Sequence, residues 1–139
     1  MFTNKKYYSA RISRELTKES IVKLKMAWLN RNIIFVSGKN SRFDVNHIIF
    51  EGANEKVSVW TLPLNAWAEY DSVFKEVVFE ASKLDDSIVI CAIGPTATVL
   101  AYDLSNLGIQ CLDLGHITNC YDRVFENALK PEDLEFKIK

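Results

Sequence analysis

Residues 88–116 constrain the fold of this chain more than any other stretch. An apolar run of strand length, Ile88 to Ile93, breaks at Gly94 and Pro95. Next comes a stretch in which Ala97, Leu100, Ala101, Leu104 and Leu107 recur at helical spacing, closed by Gly108, and a second apolar run, Ile109 to Leu114, follows. The order predicts two parallel strands joined by a crossover helix, because parallel neighbours cannot be linked by a tight hairpin. The turn matters for chemistry. The first amides of that helix, at Thr96 and Ala97, have no partner within the helix and stand at its positive dipole end, where a phosphate is favoured.

The rest of the chain extends the alternation. Glu19 to Asn30 carries Ile21, Leu24, Ala27 and Trp28 on one helical face, with Thr17 as a cap. Strands are predicted at Ile33–Ser37 and Val57–Thr61, with a short helix from about Asp44 to Glu51 between them. The longest helix should start from a cap at Asn65 and repeat Ala66, Trp67, Tyr70, Val73, Phe74, Val77, Val78, Ala81 and Leu84 at three and four residues. A last helix is expected over Asn119 to Leu129, stopped by Pro131. Strands and helices in strict alternation predict an α/β fold, a Rossmann-like parallel sheet of about four strands covered by helices on both faces. One edge of so small a sheet would suit a partner, either a second copy or another chain.

Length and charge set the frame. A chain of 139 residues is read as a single domain, 1–139, large enough to bury roughly two-thirds of its unfolded surface. A net charge of −1 gives no global attraction for nucleic acid, so any phosphate site must be local. No run is long and apolar enough for a membrane span, and the first ten residues lack the apolar core of a signal peptide. Cys91, Cys111 and Cys120 are odd in number and lack a C-x-x-C spacing. They are expected to be small core residues in a reducing cytoplasm, not metal ligands or disulfide partners.

Ligands of open α/β sheets bind beyond the carboxyl ends of the strands, so the strand exits hold the candidates. They are Ser37 to Arg42, Leu62 to Asn65, Gly94 to Thr96 and Asp113 to His116. Gly94 allows close backbone approach, Pro95 fits a first helical position, and Thr96 adds a hydroxyl; the turn is either a diphosphate cradle or an ordinary strand-to-helix turn. Arg42, with Lys39 and Ser41, offers a planar fork for bidentate phosphate contact, or is simply a solvated basic loop. His116 could donate to a phosphate, shuttle a proton or act as a structural hydrogen bonder, and His47 is read as structural. Asp103 is expected to make capping or surface contacts. Trp67 and Phe74 fall on the apolar stripe and are expected in the core, while Trp60 is ambiguous. The P-loop, dinucleotide and nucleophile-elbow patterns are absent, as is any metal-spaced Cys/His cluster.

The run Gly94-Pro-Thr-Ala-Thr-Val-Leu-Ala-Tyr-Asp-Leu104, then Gly108, then Asp113-Leu-Gly-His116, resembles the signature of bacterial GT-D-type glycosyltransferases. Asn65-Ala66 with Tyr70-Asp71, Ser41-Arg42 and Ser13-Arg14 match further. The resemblance implies a transferase using a nucleotide-sugar donor, a UDP-sugar by preference, with Mn2+ or Mg2+, in the synthesis of surface glycans or glycoproteins. It implies donor binding by Ser41, Arg42, Gly94, Pro95, Thr96 and Ala97, and catalytic candidates in Asp113, His116 and Asp122. It is taken to cover the C-terminal two-thirds of the family pattern, because the family's acidic D-x-E motif lies upstream of the matching part.

Two further departures concern carboxylates. The family's acidic run of the type D-I-E-Y-E-W after the histidine is here Thr118 to Arg123, with only Tyr121 and Asp122 comparable, and Ser37 stands where a glutamate is common. Divalent cations need clustered hard oxygen ligands. The expectation is a cytoplasmic donor-binding half of a GT-D-like glycosyltransferase without a complete metal site of its own. The alternative is a catalytically inactive nucleotide-binding or assembly module of the same fold.

Overall fold

The computed structural model describes residues 16–39, 41–61 and 66–126. Helix α1 (Lys18–Leu24) leads to β1 (Asn32–Gly38) and β2 (Lys56–Thr61), then α2 (Tyr70–Lys83), β3 (Ser87–Ala92), α3 (Thr96–Ser105), β4 (Cys111–Asp113) and α4 (Ile117–Glu126). The four strands form one sheet in the order β2-β1-β3-β4, and all three pairings are parallel. The predicted α/β class and strand number hold.

The two faces of the sheet follow from the two-residue period of its strands. Ile33, Phe35, Ile88 and Ile90 point to one side, where they pack with Ile21, Trp28, Phe50, Ile117 and Cys120. Ile34, Val36, Val59, Val89 and Cys91 point to the other, against Val73 and Val77 of α2 and Ala97, Leu100 and Leu104 of α3. Burial on both faces explains why β1 and β3 read as continuous apolar runs.

Several element ends differ from expectation. The predicted helix 19–30 stops as an α-helix at Leu24 and finishes as a 3-10 turn, Lys25–Ala27. The cause is tertiary: Trp28 is fully buried, its indole N–H donates to the Ile49 carbonyl at 3.0 Å, and Asn30 takes φ 58 to turn the chain into β1. Thr17 does cap α1, accepting the Ser20 amide at 3.2 Å. The predicted helix 44–51 shrinks to a 3-10 turn, Ile48–Phe50, capped by the His47 ring.

Helix α2 begins at Tyr70, and the cap assigned to Asn65 lies outside the described residues. Helix α4 starts two residues before the predicted Asn119, while its predicted end and Pro131 also lie outside them. Gly108, at φ 76, closes α3 as its turn chemistry required: the Ile109 amide reaches back to the Leu104 carbonyl at 3.0 Å. That closure takes Ile109 and Gln110 out of the strand, so β4 is shorter than the predicted 109–114.

Strand order fixes where a ligand can sit. From β1 the chain moves outward to β2, and from β3 it moves outward the other way to β4. The central neighbours β1 and β3 are therefore the topological switch point, and their carboxyl ends, Gly38 and Ala92, open the crevice that such sheets use for ligands.

Candidate functional site

Two adjoining cavities occupy that crevice. The larger, about 350 Å³, is bounded by Gly38, Ser41 and Thr61 on the β1 and β2 side, by Ala92 to Thr96 on the β3 side, and by Ala66 and Trp67. The smaller, about 260 Å³, lies between Arg42 and Phe43 on one side and Gly115, His116 and Asn119 on the other. Ser41, Ala92 and Gly94 border both. Five of the six expected donor-binding residues, Ser41, Arg42, Gly94, Pro95 and Thr96, thus meet at one place although they come from two distant loops.

The sixth, Ala97, is different. Its side chain is fully buried in the core beneath α3, and its amide donates to the Gly94 carbonyl at 3.0 Å. The Gly94–Pro95 turn continues the hydrogen bonding of the helix upstream, so one of the two amides expected to face a ligand is already used. The Thr96 amide has no acceptor among the described residues. Gly94 takes φ +63, and a Cβ there would meet nothing within 4 Å: glycine is required by the left-handed backbone, not by crowding.

The Arg42 loop is built on hydrogen bonds and an aromatic anchor. The Ser41 amide donates to Gly38 at 3.1 Å, and the Ser41 hydroxyl accepts the Phe43 amide at 3.3 Å. Phe43 inserts its ring against Phe35 and Phe50, with centroids 6.0 and 5.8 Å away. Arg42 is thereby carried, half-buried, to the mouth of the smaller cavity, while Lys39 is exposed and lines neither. Ser13 and Arg14 lie outside the described residues.

The three catalytic candidates part company. His116, half-buried just ahead of α4, lines the smaller cavity. Asp113 sits at the end of β4, lines neither cavity, and accepts a hydrogen bond from the Gly115 backbone. Crowding by neighbouring atoms raises its carboxyl above the usual range although its surface is open, and the Gly115 bond only partly opposes this. Asp122 is held 2.6 Å from His47 Nε2, across the first helical layer. His47 Nδ1 accepts the Ile49 amide at 3.1 Å, so Nε2 carries the proton and donates to Asp122. With both nitrogens bonded the pair is a clamp between the β1–β2 connection and α4, and it removes Asp122 from the cavities.

Asp113 binds its proton more tightly in the folded chain than in the unfolded one, so its contribution to stability is present at acid pH and is lost as pH rises through the folded value. Asp113→Asn, which keeps an acceptor for Gly115, should therefore raise the urea midpoint at pH 7 and leave it unchanged below the ordinary aspartate range. An equal shift at both pH values would show that the change acts through packing alone.

Three residues were missed or misplaced by the sequence reading. Trp67, assigned to the core, is 64% exposed in the turn before α2, its ring tilted against Tyr70 with centroids 5.4 Å apart, and walls the larger cavity. Phe74 is half-buried and packs against the core as expected, and Trp60 is half exposed on β2. Ser37 is fully buried with its hydroxyl unpaired, directly beside Ala92 in the sheet register. Asp103, expected at the surface, accepts the Tyr70 hydroxyl and so joins α3 to α2; burial and the adjacent carboxylate push the phenol well above its usual range.

Among the described residues no three His, Cys, Asp or Glu side chains stand close enough together to hold a metal ion. None of the residues lining either cavity is acidic. The donor set that a divalent cation needs is thus not formed by the described residues. What they do offer is a guanidinium, an imidazole, an open amide and small polar groups around a space that fits a charged, elongated ligand.

The family description "Glycosyltransferase GT-D fold" matches residues 2–138, so the resemblance is not confined to a C-terminal part of the chain. Glycosyltransferase GlyD of Streptococcus pneumoniae is 33% identical over 105 residues, which are 76% of this chain and 12% of that protein. The probable glycosyl transferase Gly of Streptococcus gordonii is 34% identical over 100 residues, 72% of this chain and 14% of that protein. A solved glycosyltransferase of Streptococcus sanguinis superposes with a TM-score of 0.76 at 28% identity, covering 96% of this chain and 57% of that one. A second, described as having a distinct glycosyltransferase fold, gives 0.77 at 24% identity and shares the fold, over 98% of this chain and 56% of that one. This chain spans about an eighth of the curated relatives. It belongs to the GT-D-fold glycosyltransferase family.

Proposed function

We propose that this member of the GT-D family is the donor-binding part of a glycosyltransferase, taking a nucleotide-sugar, by preference a UDP-sugar, for transfer to a surface glycan or glycoprotein. The supporting observation is the pair of adjoining cavities at the switch point, which gather Ser41, Arg42, Gly94, Pro95, Thr96 and His116. In this reading the base and ribose lie in the larger cavity against Trp67, and the diphosphate bridges the Thr96 amide and the Arg42 guanidinium. His116 faces the smaller cavity, where a proton donated to the departing diphosphate would ease cleavage of the sugar–oxygen bond.

The second reading, a nucleotide-binding or assembly module without catalysis of its own, is favoured by the acid-free cavity linings and by the capture of Asp122 by His47. A cytoplasmic location belongs to both readings. No helix among the described residues is long and apolar enough to cross a membrane. Among the described residues strand β2 stands at the edge of the sheet with only β1 as a neighbour, and its outer edge suits a second copy or another chain.

Calorimetry with UDP-sugars, other sugar nucleotides and free nucleoside diphosphates, each with and without manganese, tests the proposal. UDP-sugars should bind more tightly than UDP, with little effect of manganese, and with no sugar transfer by the 139 residues alone. Absence of binding by every sugar nucleotide would refute donor binding. Manganese-dependent transfer would refute the module reading and require a metal site outside the described residues.

A further inference from the structure

Cys91 and Cys111 are twenty residues apart in the chain, and their spacing carries no signal. The register brings them together: Cys111 opposes Val89, and Cys91 opposes Asp113, which makes the two cysteines diagonal neighbours on β3 and β4. Both face the layer of α2 and α3, with Cys91 inside that core and Cys111 packed against it. Their sulfurs are 2.9 Å apart, within 1 Å or so of the ~2.04 Å of a disulfide. Cys120 belongs to the opposite face, where its sulfur lies 3.8 Å from the Leu16 carbonyl, so the sheet separates it from the pair.

From this juxtaposition we infer that Cys91 and Cys111 are a reversible dithiol–disulfide site, oxidised by hydroperoxides and reduced by small thiols. Cys111 is half-buried and reacts first; Cys91 is fully buried. The Cys111 thiolate attacks one peroxide oxygen, the O–O bond breaks, and hydroxide leaves to take up a proton as water, giving Cys111 sulfenic acid. The Cys91 sulfur then attacks the sulfenic sulfur, the S–O bond breaks, and the hydroxyl departs with the Cys91 proton as a second water. Two thiols and one hydrogen peroxide thus give one disulfide and two waters. The hydrogen-bonded Cys111 and burial hold the Cys91 thiol well above its usual range, which fits the resolving role and leaves first attack to Cys111.

The bond would close a loop that contains Gly94 to Thr96 and all of α3, and would fasten β3, which ends at the cavities, to β4. The closeness of the site to the crevice gives the modification its interest, although it does not depend on the crevice binding a nucleotide.

Peptide mapping of the folded chain after mild hydrogen peroxide tests the inference. Cleavage before aspartate separates the three cysteines into peptides 86–102, 103–112 and 113–121. The first two should appear joined, lighter by two hydrogen atoms than their sum, with Cys120 unlinked and the link released by dithiothreitol. In Cys91→Ser, Cys111 should instead accumulate as sulfenic and sulfinic acid. The inference is overturned if the folded wild-type chain yields Cys111 sulfinic acid with Cys91 still free, a Cys111–Cys120 link, or no modification of the pair at peroxide levels that oxidise the exposed Met26.

Discussion

Trp28→Ala is expected to destabilise the fold by about 3–5 kcal/mol, the range for removing a buried tryptophan, and to lower the thermal midpoint by roughly 10 °C or more. The indole is fully buried, touches Phe50 with centroids 5.4 Å apart, and donates its N–H to the Ile49 carbonyl, which has no other partner among the described residues. Alanine leaves both a cavity and an unpaired buried acceptor. Trp28→Phe separates the two: it keeps most of the ring contact and loses only the N–H, so it should cost about 1–2 kcal/mol. Urea unfolding of both variants measures this. Equal costs would mean that the hydrogen bond, not the volume, carries the effect. The loss should also reach the crevice, because Phe50 packs on Phe43, and Phe43 anchors the loop that carries Arg42.

Trp28 also shows why some of this chain was readable from its residues and some was not. The crossover could be placed to within a few residues because its boundaries are chemical: Gly94 and Gly108 both need positive φ, and Pro95 cannot continue a strand ladder. The central strands β1 and β3 were legible because both their faces are buried. Helix 19–30 was overrun because its apolar spacing continues through Trp28, whereas the fold turns there to bring the indole to a carbonyl twenty-one residues away. The pairing of Asp122 was hidden for a similar reason. Its acidic character suggested chemistry, but its partner His47 lies seventy-five positions away, and no local pattern records that pairing.

Within the site, loop membership was legible and use was not. Ser41, Arg42, Gly94, Pro95, Thr96 and His116 stand at strand exits and were singled out by the family resemblance, and the sheet order brings them together. Ala97 was assigned from the general rule that the first helical amides are free; here the turn upstream supplies an acceptor, and the methyl faces the core. Trp67 was assigned to the core because its spacing matches the stripe of α2, but the helix begins after it, so periodicity had no helix to act on. Ser37 carried a signal only through its departure from the family's glutamate. Its hydroxyl is buried beside Ala92 and has no partner among the described residues, a feature that no spacing in the sequence records.

Arg42→Ala should weaken binding of a nucleoside diphosphate by about 1.5–3 kcal/mol, roughly tenfold to 150-fold in Kd, as for loss of a hydrogen bond to a charged group. The residue borders the smaller cavity from a loop held by Ser41 and Phe43, so its removal leaves the anchors in place and the fold intact. Arg42→Lys distinguishes charge from shape. Lysine restores a point charge without the planar fork, so it should recover only part of the loss if the contact is bidentate, and nearly all of it if the site merely attracts anions. Salt provides an independent check: a general electrostatic attraction fades strongly between low and physiological ionic strength, whereas a half-buried paired contact fades less. Titration of the three proteins with UDP, alongside unfolding curves to establish equal stability, reads both effects. An unchanged Kd in Arg42→Ala at unchanged stability would remove the guanidinium from the diphosphate path and leave the Thr96 amide and His116 as the groups facing the phosphates.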